Sequence, residues 1–231
     1  MKNQTSSAAF TRIELAAATA ALALVGGLAA PMLAGTRNQS DRAHCANNLK
    51  QISRAVGEWA SEHQERVPWH TPIDQGGTFI SPKAGYAPDE YYALKEELRS
   101  PKVLVCPADA ETIVAPDWDT FILDPNYGPN SVSYTLGLHT FADRPLTLLA
   151  ADRNIRDNGG PASCTPTGIN DAWRIIPGDP NVGWTSTIHG NTGNVLLNDG
   201  TVLFTDSTSL RNVLAADPAT GDGALHILRN R

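Results

Sequence analysis

An almost unbroken apolar segment near the start of the chain, Ile13 to Leu33, constrains the fold more than any other feature. Apart from Glu14 and Thr19, it contains only Ala, Leu, Val, Ile, Gly, Met and Pro31. As a helix rising ~1.5 Å per residue it would be about 31 Å long, enough to cross the ~30 Å hydrocarbon core of a membrane. A helix of that length on a soluble domain normally carries a polar stripe, which this segment lacks. The segment therefore predicts a transmembrane helix.

An ordinary secretory signal peptide is the alternative for the same segment. Lys2 supplies a basic start, and Ala29-Ala30 or Leu33-Ala34-Gly35 supplies small residues for a signal peptidase. Glu14 argues against this alternative, because a signal peptide has no use for a carboxylate at the entrance of its apolar run. A charge in a membrane segment costs roughly 2.5–3.5 kcal/mol at the centre and less near the edge, so it usually has a function and a partner.

The segment from Ala9 to Leu15 (AFTRIEL) resembles the processing site of type IV prepilins and of the pseudopilins of type II secretion systems. In that family a prepilin peptidase removes a short basic leader before a Phe, the Phe is N-methylated, and a Glu four residues later neutralises the terminal amine of a neighbouring subunit. The resemblance implies cleavage between Ala9 and Phe10, N-methylation of Phe10 and an assembly role for Glu14. Two positions depart from the family pattern: Ala9 replaces the commoner Gly, and Arg12 replaces a large apolar residue.

Helical periodicity continues beyond the polar stretch Gly35–Ser40. Apolar residues recur at intervals of three and four, which places them on one face of a helix: Cys45, Leu49, Ile52, Val56, Trp59 and His63. Pro68 ends the pattern because it cannot continue a helix. We therefore predict one long N-terminal helix from about Thr11 to Glu65, which Pro31 can kink.

Composition restricts the function classes. With 231 residues, 41% of them hydrophobic, the chain can form one membrane segment and one globular domain with its own core. The net charge of −6 argues against a nucleic-acid partner, which needs a basic face. Cys45, Cys106 and Cys164 allow at most one disulfide, and the sequence cannot choose the pair. The lack of a C-x-x-C motif gives a zinc centre little support.

Two further segments resemble pseudopilin-like proteins of planctomycetes and verrucomicrobia. His44–Ile52 is similar to their C-x-N-N-L-K-Q-I segment, and Ser100–Asp109 is similar to their x-C-P-x-D segment. Cys45 lies on the apolar helical face and is interpreted as a small buried residue. The apolar run Val103–Cys106 predicts a short buried strand. A short helix is predicted around Asp89 to Leu98.

The C-terminal third contains His189, followed after nine residues by Asp199-Gly200. Because Asp-Gly lies between two apolar, β-prone runs, it predicts a hairpin turn. The spacing also resembles the H-x9-D-G motif at the C-terminus of the same pseudopilin-like proteins. The turn explains Asp199 and Gly200 without any chemistry, and His189 is predicted to hydrogen-bond into the hairpin rather than to bind a metal or catalyse.

Two loops are rich in oxygen-bearing side chains, Asp117–Asn130 and Asp152–Gly160. Because calcium prefers oxygen ligands, these loops make calcium the candidate cofactor. The same residue types also form ordinary turns, and Arg156 occupies a position where an EF-hand needs a ligand. No metal-ligating residue is therefore assigned. The segments Ser131–Leu138 and Leu146–Ala150 are predicted to be strands.

The sequence provides no catalytic residues. It lacks the serine-hydrolase, P-loop, zinc-protease and dinucleotide motifs, and its six histidines are scattered. His44 and Cys45 are adjacent on a helix and point in different directions, so they cannot act as a nucleophile and base. The chain is therefore predicted not to be an enzyme.

The resemblance implies an α+β, type IV pilin-like fold, in which a long N-terminal helix with a hydrophobic first half packs on a small, mostly antiparallel β-sheet with long loops. The implied organisation is a prepilin leader (1–9), a transmembrane and filament-core helix (10–34), its amphipathic continuation (35–66) and a globular domain (67–231). The implied function is a structural subunit, a pseudopilin, of a type II secretion-like or type IV pilus-like filament. Its partners would be a prepilin peptidase, other pilin or pseudopilin subunits and the inner membrane, which it would cross once, with the globular domain in the periplasm or on the cell surface.

Two other classes remain open. The chain could be a tethered or secreted enzyme that uses the apolar run only for export, although no convergent set of titratable groups is apparent. It could also be a glycan-binding module whose tryptophans serve as stacking platforms, although buried core tryptophans explain these residues equally well. The tryptophans considered are Trp69, Trp118, Trp173 and Trp184.

Overall fold

The computed structural model describes residues 11–79, 86–156, 158–164, 169–217 and 224–229. The predicted leader and the cleavage site between Ala9 and Phe10 lie outside these residues. The chain divides into two compact units, one ending at Ser40 and the other running from Asp41.

Five α-helices and nine strands make up the described regular structure. The helices are α1 (Arg12–Glu62), α2 (Ala87–Ala93), α3 (Lys95–Leu98), α4 (Trp118–Leu123) and α5 (Ser207–Ala215). The strands are β1 (Tyr134–Gly137), β2 (Leu148–Asp152), β3 (Ile155–Arg156), β4 (Pro161–Cys164), β5 (Ile169–Ile175), β6 (Gly183–Trp184), β7 (Thr192–Leu197), β8 (Val202–Asp206) and β9 (Leu225–Leu228). Short 3-10 helices are at Pro68–His70, Ile73–Gln75, Pro101–Leu104 and Gly128–Ser131.

The predicted transmembrane helix is wrong, and with it the pilin-like fold with an apolar first half and the single-pass inner-membrane location. Within the described residues, none of the helices is both long and apolar enough to cross a membrane. The α1 side chains that the structure describes fall in two parts, 12–23 and 38–62. The first part would be only about 18 Å long and carries Arg12 and Glu14, while the second mixes charged with apolar residues.

Seven strands form one antiparallel sheet in the order β4-β5-β9-β1-β2-β7-β8. The predicted hairpin around Asp199-Gly200 is confirmed, because β7 and β8 pair antiparallel on either side of it, with Leu196 opposite Val202. The predicted strand segments Ser131–Leu138 and Leu146–Ala150 contain β1 and the first part of β2. The remaining two strands, β3 and β6, form a separate two-stranded sheet.

Both faces of the large sheet are buried, because neighbouring residues of one strand belong to different core clusters. Leu196 packs in a cluster with Leu49, Ile52 and other residues of α1, whereas Val195 packs in a second cluster with Leu210 and other residues of α5. The sequence of a strand that is buried on both faces is a continuous apolar run, as in the Val195–Leu197 segment.

The apolar run Val103–Cys106 is not a strand. Residues Pro101–Leu104 form a 3-10 helix, which begins after Ser100, whose hydroxyl accepts a hydrogen bond from the Lys102 N–H. Pro101 occupies the first helical position, where its fixed φ and missing N–H carry no cost. A run of four apolar residues indicates that the segment is buried. It is too short to distinguish the two-residue period of a strand from the three-residue period of a 3-10 helix.

Candidate functional site

A disulfide bond joins Cys45 on α1 to Cys106, which follows the 3-10 helix at Pro101–Leu104. Their Cα atoms are 5.1 Å apart, and the two residues are separated by 61 positions in sequence. Both are fully buried, as the apolar periodicity predicted for Cys45. Cys164 is buried and lies outside this disulfide, so the structure selects one of the pairings that the sequence left open.

Asn48, one turn after Cys45 on α1, fastens the helix to the chain around the disulfide. Its buried side-chain amide donates hydrogen bonds to the Val105 carbonyl oxygen at 3.0 Å and to the Tyr134 hydroxyl at 3.2 Å. The backbone N–H of Cys106 donates to the Ser133 hydroxyl at 3.0 Å. A buried amide needs such partners, because leaving it unpaired costs about 1–3 kcal/mol.

Asp109, the acidic residue of the C-P-x-D segment, forms a bidentate ion pair with Arg153. Arg153 donates from Nε to Asp109 Oδ2 at 2.6 Å and from Nη2 to Oδ1 at 2.7 Å, and it reaches Glu111 Oε2 at 2.7 Å. Its hydrogen bonds to Asp109 are the first cause of a raised Arg153 pKa. The fork geometry orients the loop after Cys106 against the residue that follows β2.

His189 lies between the disulfide and a buried carboxyl group. Its Nε2 is 3.4 Å from Cys106 Sγ and 3.7 Å from Asp152 Oδ2, and its side chain is 2% exposed. Asp152 Oδ2 accepts hydrogen bonds from the Asn194 backbone at 2.7 Å and side chain at 3.0 Å. Burial is the largest cause of both pKa shifts: it lowers the pKa of His189 and raises that of Asp152 to about 7. Both shifts disfavour the charged forms that a salt bridge between the two residues would need.

The combination of Cys106, His189 and Asp152 has the residue types of a catalytic triad but not its geometry. In such a triad one imidazole nitrogen faces the nucleophile and the other faces the carboxylate. Here the same nitrogen, Nε2 of His189, is the atom near both Cys106 and Asp152. Cys106 is also bonded to Cys45, so it offers no thiolate for attack.

Asp199 and Gly200 have the turn role predicted for them. Asp199 Oδ1 accepts the Thr201 N–H at 2.8 Å, and the Gly200 N–H donates to the Leu197 carbonyl oxygen at 3.0 Å. Gly200 has a φ of +84°, which only glycine adopts without strain. The His189 ring lies at the other end of the hairpin from this turn. It contacts Cys106 and Asp152, and it packs edge-on against Phe204 of β8 at 6.1 Å between ring centroids.

The three segments that resemble pseudopilin-like proteins therefore meet around one disulfide. Cys45 and Asn48 come from the first segment, Cys106 and Asp109 from the second, and His189 from the third. The disulfide, the Asn48 amide and the His189 contacts place these residues where α1 packs against the sheet.

Glu14 lies at the start of α1, where it forms a capping box with Thr11. Its carboxylate accepts hydrogen bonds from the Thr11 backbone N–H at 2.8 Å and hydroxyl at 3.0 Å, while the Thr11 hydroxyl accepts the Glu14 N–H at 3.3 Å. The hydrogen bonds from Thr11 lower the pKa of Glu14. A local structural role thus exists for this carboxylate, next to the assembly role that the resemblance implies.

In the second oxygen-rich loop, Asp152 accepts hydrogen bonds from Asn194, and the Asn154 side chain donates to the Thr185 and Ile188 carbonyl oxygens. In the first loop, the carboxylates accept local hydrogen bonds. Asp117 Oδ1 accepts the Thr120 N–H at 2.7 Å and caps α4, and Asp124 Oδ1 accepts the Asn126 N–H at 2.9 Å. Asp157 of the second loop lies outside the described residues. Calcium binding therefore stays a prediction that nothing in the described loops supports.

Two of the four candidate stacking tryptophans, Trp69 and Trp184, are fully buried. The Trp184 indole N–H donates to the Thr205 hydroxyl at 3.1 Å. Trp118 and Trp173 are half-buried, and Trp173 lies under the Arg229 guanidinium at 4.7 Å. These positions favour the core interpretation of the tryptophans over a glycan-binding platform.

Sequence reasoning missed a second group of candidate ligands, His139, Cys164 and His226. All three are buried, and their ligand atoms lie within 4.8 Å of one another. Their positions give no motif, because the residues come from three strand regions far apart in the chain. Only the strand order could have revealed them.

Comparison of the chain with protein-family models, curated proteins and solved structures gave no match.

Proposed function

We propose that this protein is a structural subunit of a type II secretion-like or type IV pilus-like filament, and that it is not an enzyme. The proposal rests on the first turns of α1. There the Glu14 carboxylate caps the helix, and an exposed apolar helical segment follows it. In this proposal a prepilin peptidase cleaves between Ala9 and Phe10, and other pilin-like subunits pack against the segment that follows.

The exposed apolar side chains of this segment support helix packing between subunits. Ile13, Leu15 and Leu22 are 82%, 62% and 72% exposed. Leu15 and Leu22 are seven residues apart and therefore lie on one face of α1. Between them stand mostly alanines, which allow two helix backbones to approach closely. Exposed apolar surface of this kind is typical of an interaction site.

The state of Glu14 supports the charge-pairing role. The Thr11 hydrogen bonds lower its pKa, so the carboxylate is ionised at neutral pH and can pair with the terminal amine of a neighbouring Phe10. The capping box uses the same carboxylate, so the two roles must be separated by experiment.

The globular region supports a passive, rigid role. The Cys45–Cys106 disulfide, the Asn48 amide and the Asp109–Arg153 pair connect α1, the loop after Cys106 and the sheet. Such a region can hold its shape while the N-terminal segment makes contacts with other subunits.

The first experiment compares Glu14→Gln and Glu14→Leu with wild type in the native host, with filament yield measured by pelleting and electron microscopy. Gln keeps the capping box but removes the charge, whereas Leu removes both. We expect both variants to lose assembly, by roughly 30-fold or more, because the amine of the neighbour is left unpaired. Glu58→Gln, an exposed glutamate on α1, is the matched control and should assemble normally.

Normal assembly of Glu14→Gln would show that Glu14 serves only as a helix cap, and it would remove the charge-pairing role. Intact-mass and N-terminal peptide mass spectrometry of protein from the native host provides the second test. A mature chain that begins at N-methylated Phe10 is expected. A start near Ala34 or Gly35 would indicate a signal peptidase and would overturn the filament proposal.

A further inference from the structure

The buried group formed by His139, Cys164 and His226 has the chemistry of a metal site. His139 follows β1, Cys164 ends β4, and His226 lies in β9; their exposed fractions are 6%, 1% and 5%. His139 Nε2 is 3.4 Å from Cys164 Sγ and 2.9 Å from His226 Nδ1. Three good ligand atoms therefore converge on one buried point.

The strand order creates this convergence. In the large sheet β9 lies between β5 and β1, and β4 pairs with β5. The Leu138 N–H donates to the His226 carbonyl oxygen at 2.9 Å, which places His139 beside His226. His139 is 25 positions from Cys164 and 87 positions from His226, and sheet pairing brings them together, so the group exists only in the folded chain.

Hydrogen bonding alone accounts poorly for the two contacts of His139 Nε2. In a neutral imidazole this nitrogen has either one lone pair or one hydrogen, so it can make one good hydrogen bond. It faces both Cys164 Sγ and His226 Nδ1 at close range. A cation at the centre of the three atoms satisfies all of them at once, because each then directs one lone pair at the ion.

The ligand set and spacing suit zinc or a similar divalent ion. Zinc binds thiolate sulfur at ~2.3 Å and imidazole nitrogen at ~2.0–2.1 Å in tetrahedral geometry, so its ligand atoms are about 3.3 Å (N to N) and 3.6 Å (N to S) apart. The observed 2.9 Å and 3.4 Å are within a few tenths of an ångström of these values. A thiolate with two imidazoles also selects zinc-type ions over magnesium or calcium, which prefer oxygen.

The other cysteine-histidine group in the described chain cannot act in the same way. Cys45 and Cys106 also lie near His189, but their sulfurs are joined in the disulfide and offer no thiolate. Cys164 is not part of that disulfide, and its sulfur lies 3.4 Å from His139 Nε2. We propose that His139 Nε2, Cys164 Sγ and His226 Nδ1 bind one zinc-type divalent ion, with the proton of the Cys164 thiol released to solvent on binding.

The test uses the full-length chain with its disulfide intact, titrated with Co²⁺ as a spectroscopic substitute for zinc. We expect one Co²⁺ per chain, a thiolate-to-cobalt charge-transfer band, and loss of the band when Zn²⁺ is added. Cys164→Ser should lose the band. His139→Gln and His226→Gln should bind at least about 100-fold more weakly, since even outer-shell changes cost 10–100-fold in metal affinity.

Two histidine variants serve as matched controls. His70 is half-buried close to the site, but its Nε2 donates to the Leu138 carbonyl oxygen at 2.9 Å, so His70→Gln should keep the band. His189→Gln should also keep it. Loss of cobalt binding in His189→Gln, with binding kept in Cys164→Ser, would place the ion at the disulfide cluster and overturn the proposal.

If the Cys164, His139 and His226 variants do not fold, the wild-type chain alone tests whether the site binds a metal ion. A folded wild type without a charge-transfer band overturns the proposal. A second wild-type measurement follows the alkylation rate of Cys164 with Zn²⁺ and with EDTA. Slower alkylation with Zn²⁺ is expected because a metal-bound thiolate is protected, and equal rates would contradict thiolate ligation.

Discussion

At the scale of single residues, Glu90 on α2 makes the stability of this protein depend on pH. Its side chain is fully buried, Oε2 accepts a hydrogen bond from the Thr78 hydroxyl, and Oε1 has no hydrogen-bond partner among the described residues. Burial raises the pKa of Glu90 from 4.5 to about 8. The folded chain therefore keeps a proton that the unfolded chain loses between these two pH values.

The free energy of unfolding should fall as pH rises from about 4.5 to 8, with a slope of up to about 1.4 kcal/mol per pH unit from Glu90. The stabilisation is complete below the unfolded pKa and is lost as pH rises through the folded pKa. Glu90→Gln should remove this part of the slope, because the amide keeps a hydrogen-bond acceptor without a charge. Urea unfolding of wild type and Glu90→Gln at several pH values measures this slope.

The pKa of Asp152 is raised to about 7, so Asp152 makes the free energy of unfolding fall with a similar slope below pH 7. The clearest difference between Glu90→Gln and wild type is therefore expected between pH 7 and pH 8. Glu58→Gln, which changes an exposed glutamate, should keep the wild-type slope. An unchanged slope in Glu90→Gln would show that Glu90 is ionised in the folded protein.

At the scale of secondary structure, two glycines with opposite surroundings test the helix and the hairpin. Gly57 is exposed within α1, and an added Cβ would meet nothing within 4 Å. Gly200 has a φ of +84° in the β7–β8 turn, and an added Cβ would approach Ser53 Oγ to 3.2 Å. Gly57→Ala should stabilise by about 0.5–1 kcal/mol. Gly200→Ala should destabilise by about 1–2 kcal/mol.

Thermal and urea unfolding of the two variants measure both effects, and each variant is the control for the other because the chemical change is identical. A stabilising Gly200→Ala would contradict the left-handed turn. A destabilising Gly57→Ala would contradict an open helical surface at that position.

At the scale of the whole molecule, the Cys45–Cys106 disulfide joins α1 to the segment after the Pro101–Leu104 3-10 helix, 61 positions along the chain. In the chain-entropy account, a loop of that length stabilises the folded state by about 4 kcal/mol. Cys45→Ser combined with Cys106→Ser should lower the free energy of unfolding by about that amount. Urea unfolding without reductant gives the value.

Reductant provides the control for this prediction. It should destabilise the wild type toward the double variant and should leave the double variant unchanged. Equal stability of wild type and double variant without reductant would show that Asn48 and the apolar contacts hold α1 in place without the covalent bond.

The sequence by itself determined the features that depend on neighbouring residues. The Asp199-Gly200 turn follows from two residues that accept positive φ, and the buried face of α1 around Leu49 and Ile52 follows from apolar spacing. The same reasoning failed at Val103–Cys106, where four apolar residues carry no period. It also failed for the transmembrane helix, because none of the described helices is both long and apolar enough to cross a membrane.

Only the tertiary structure decided which distant residues meet. The choice of Cys106 as the partner of Cys45 depends on where α1 packs. The approach of His189 to Asp152, and the convergence of His139, Cys164 and His226, depend on the order of the strands. These contacts join residues tens of positions apart, and local propensity contains no information about them. Their energy comes from burying both faces of the sheet, which is a property of the whole chain.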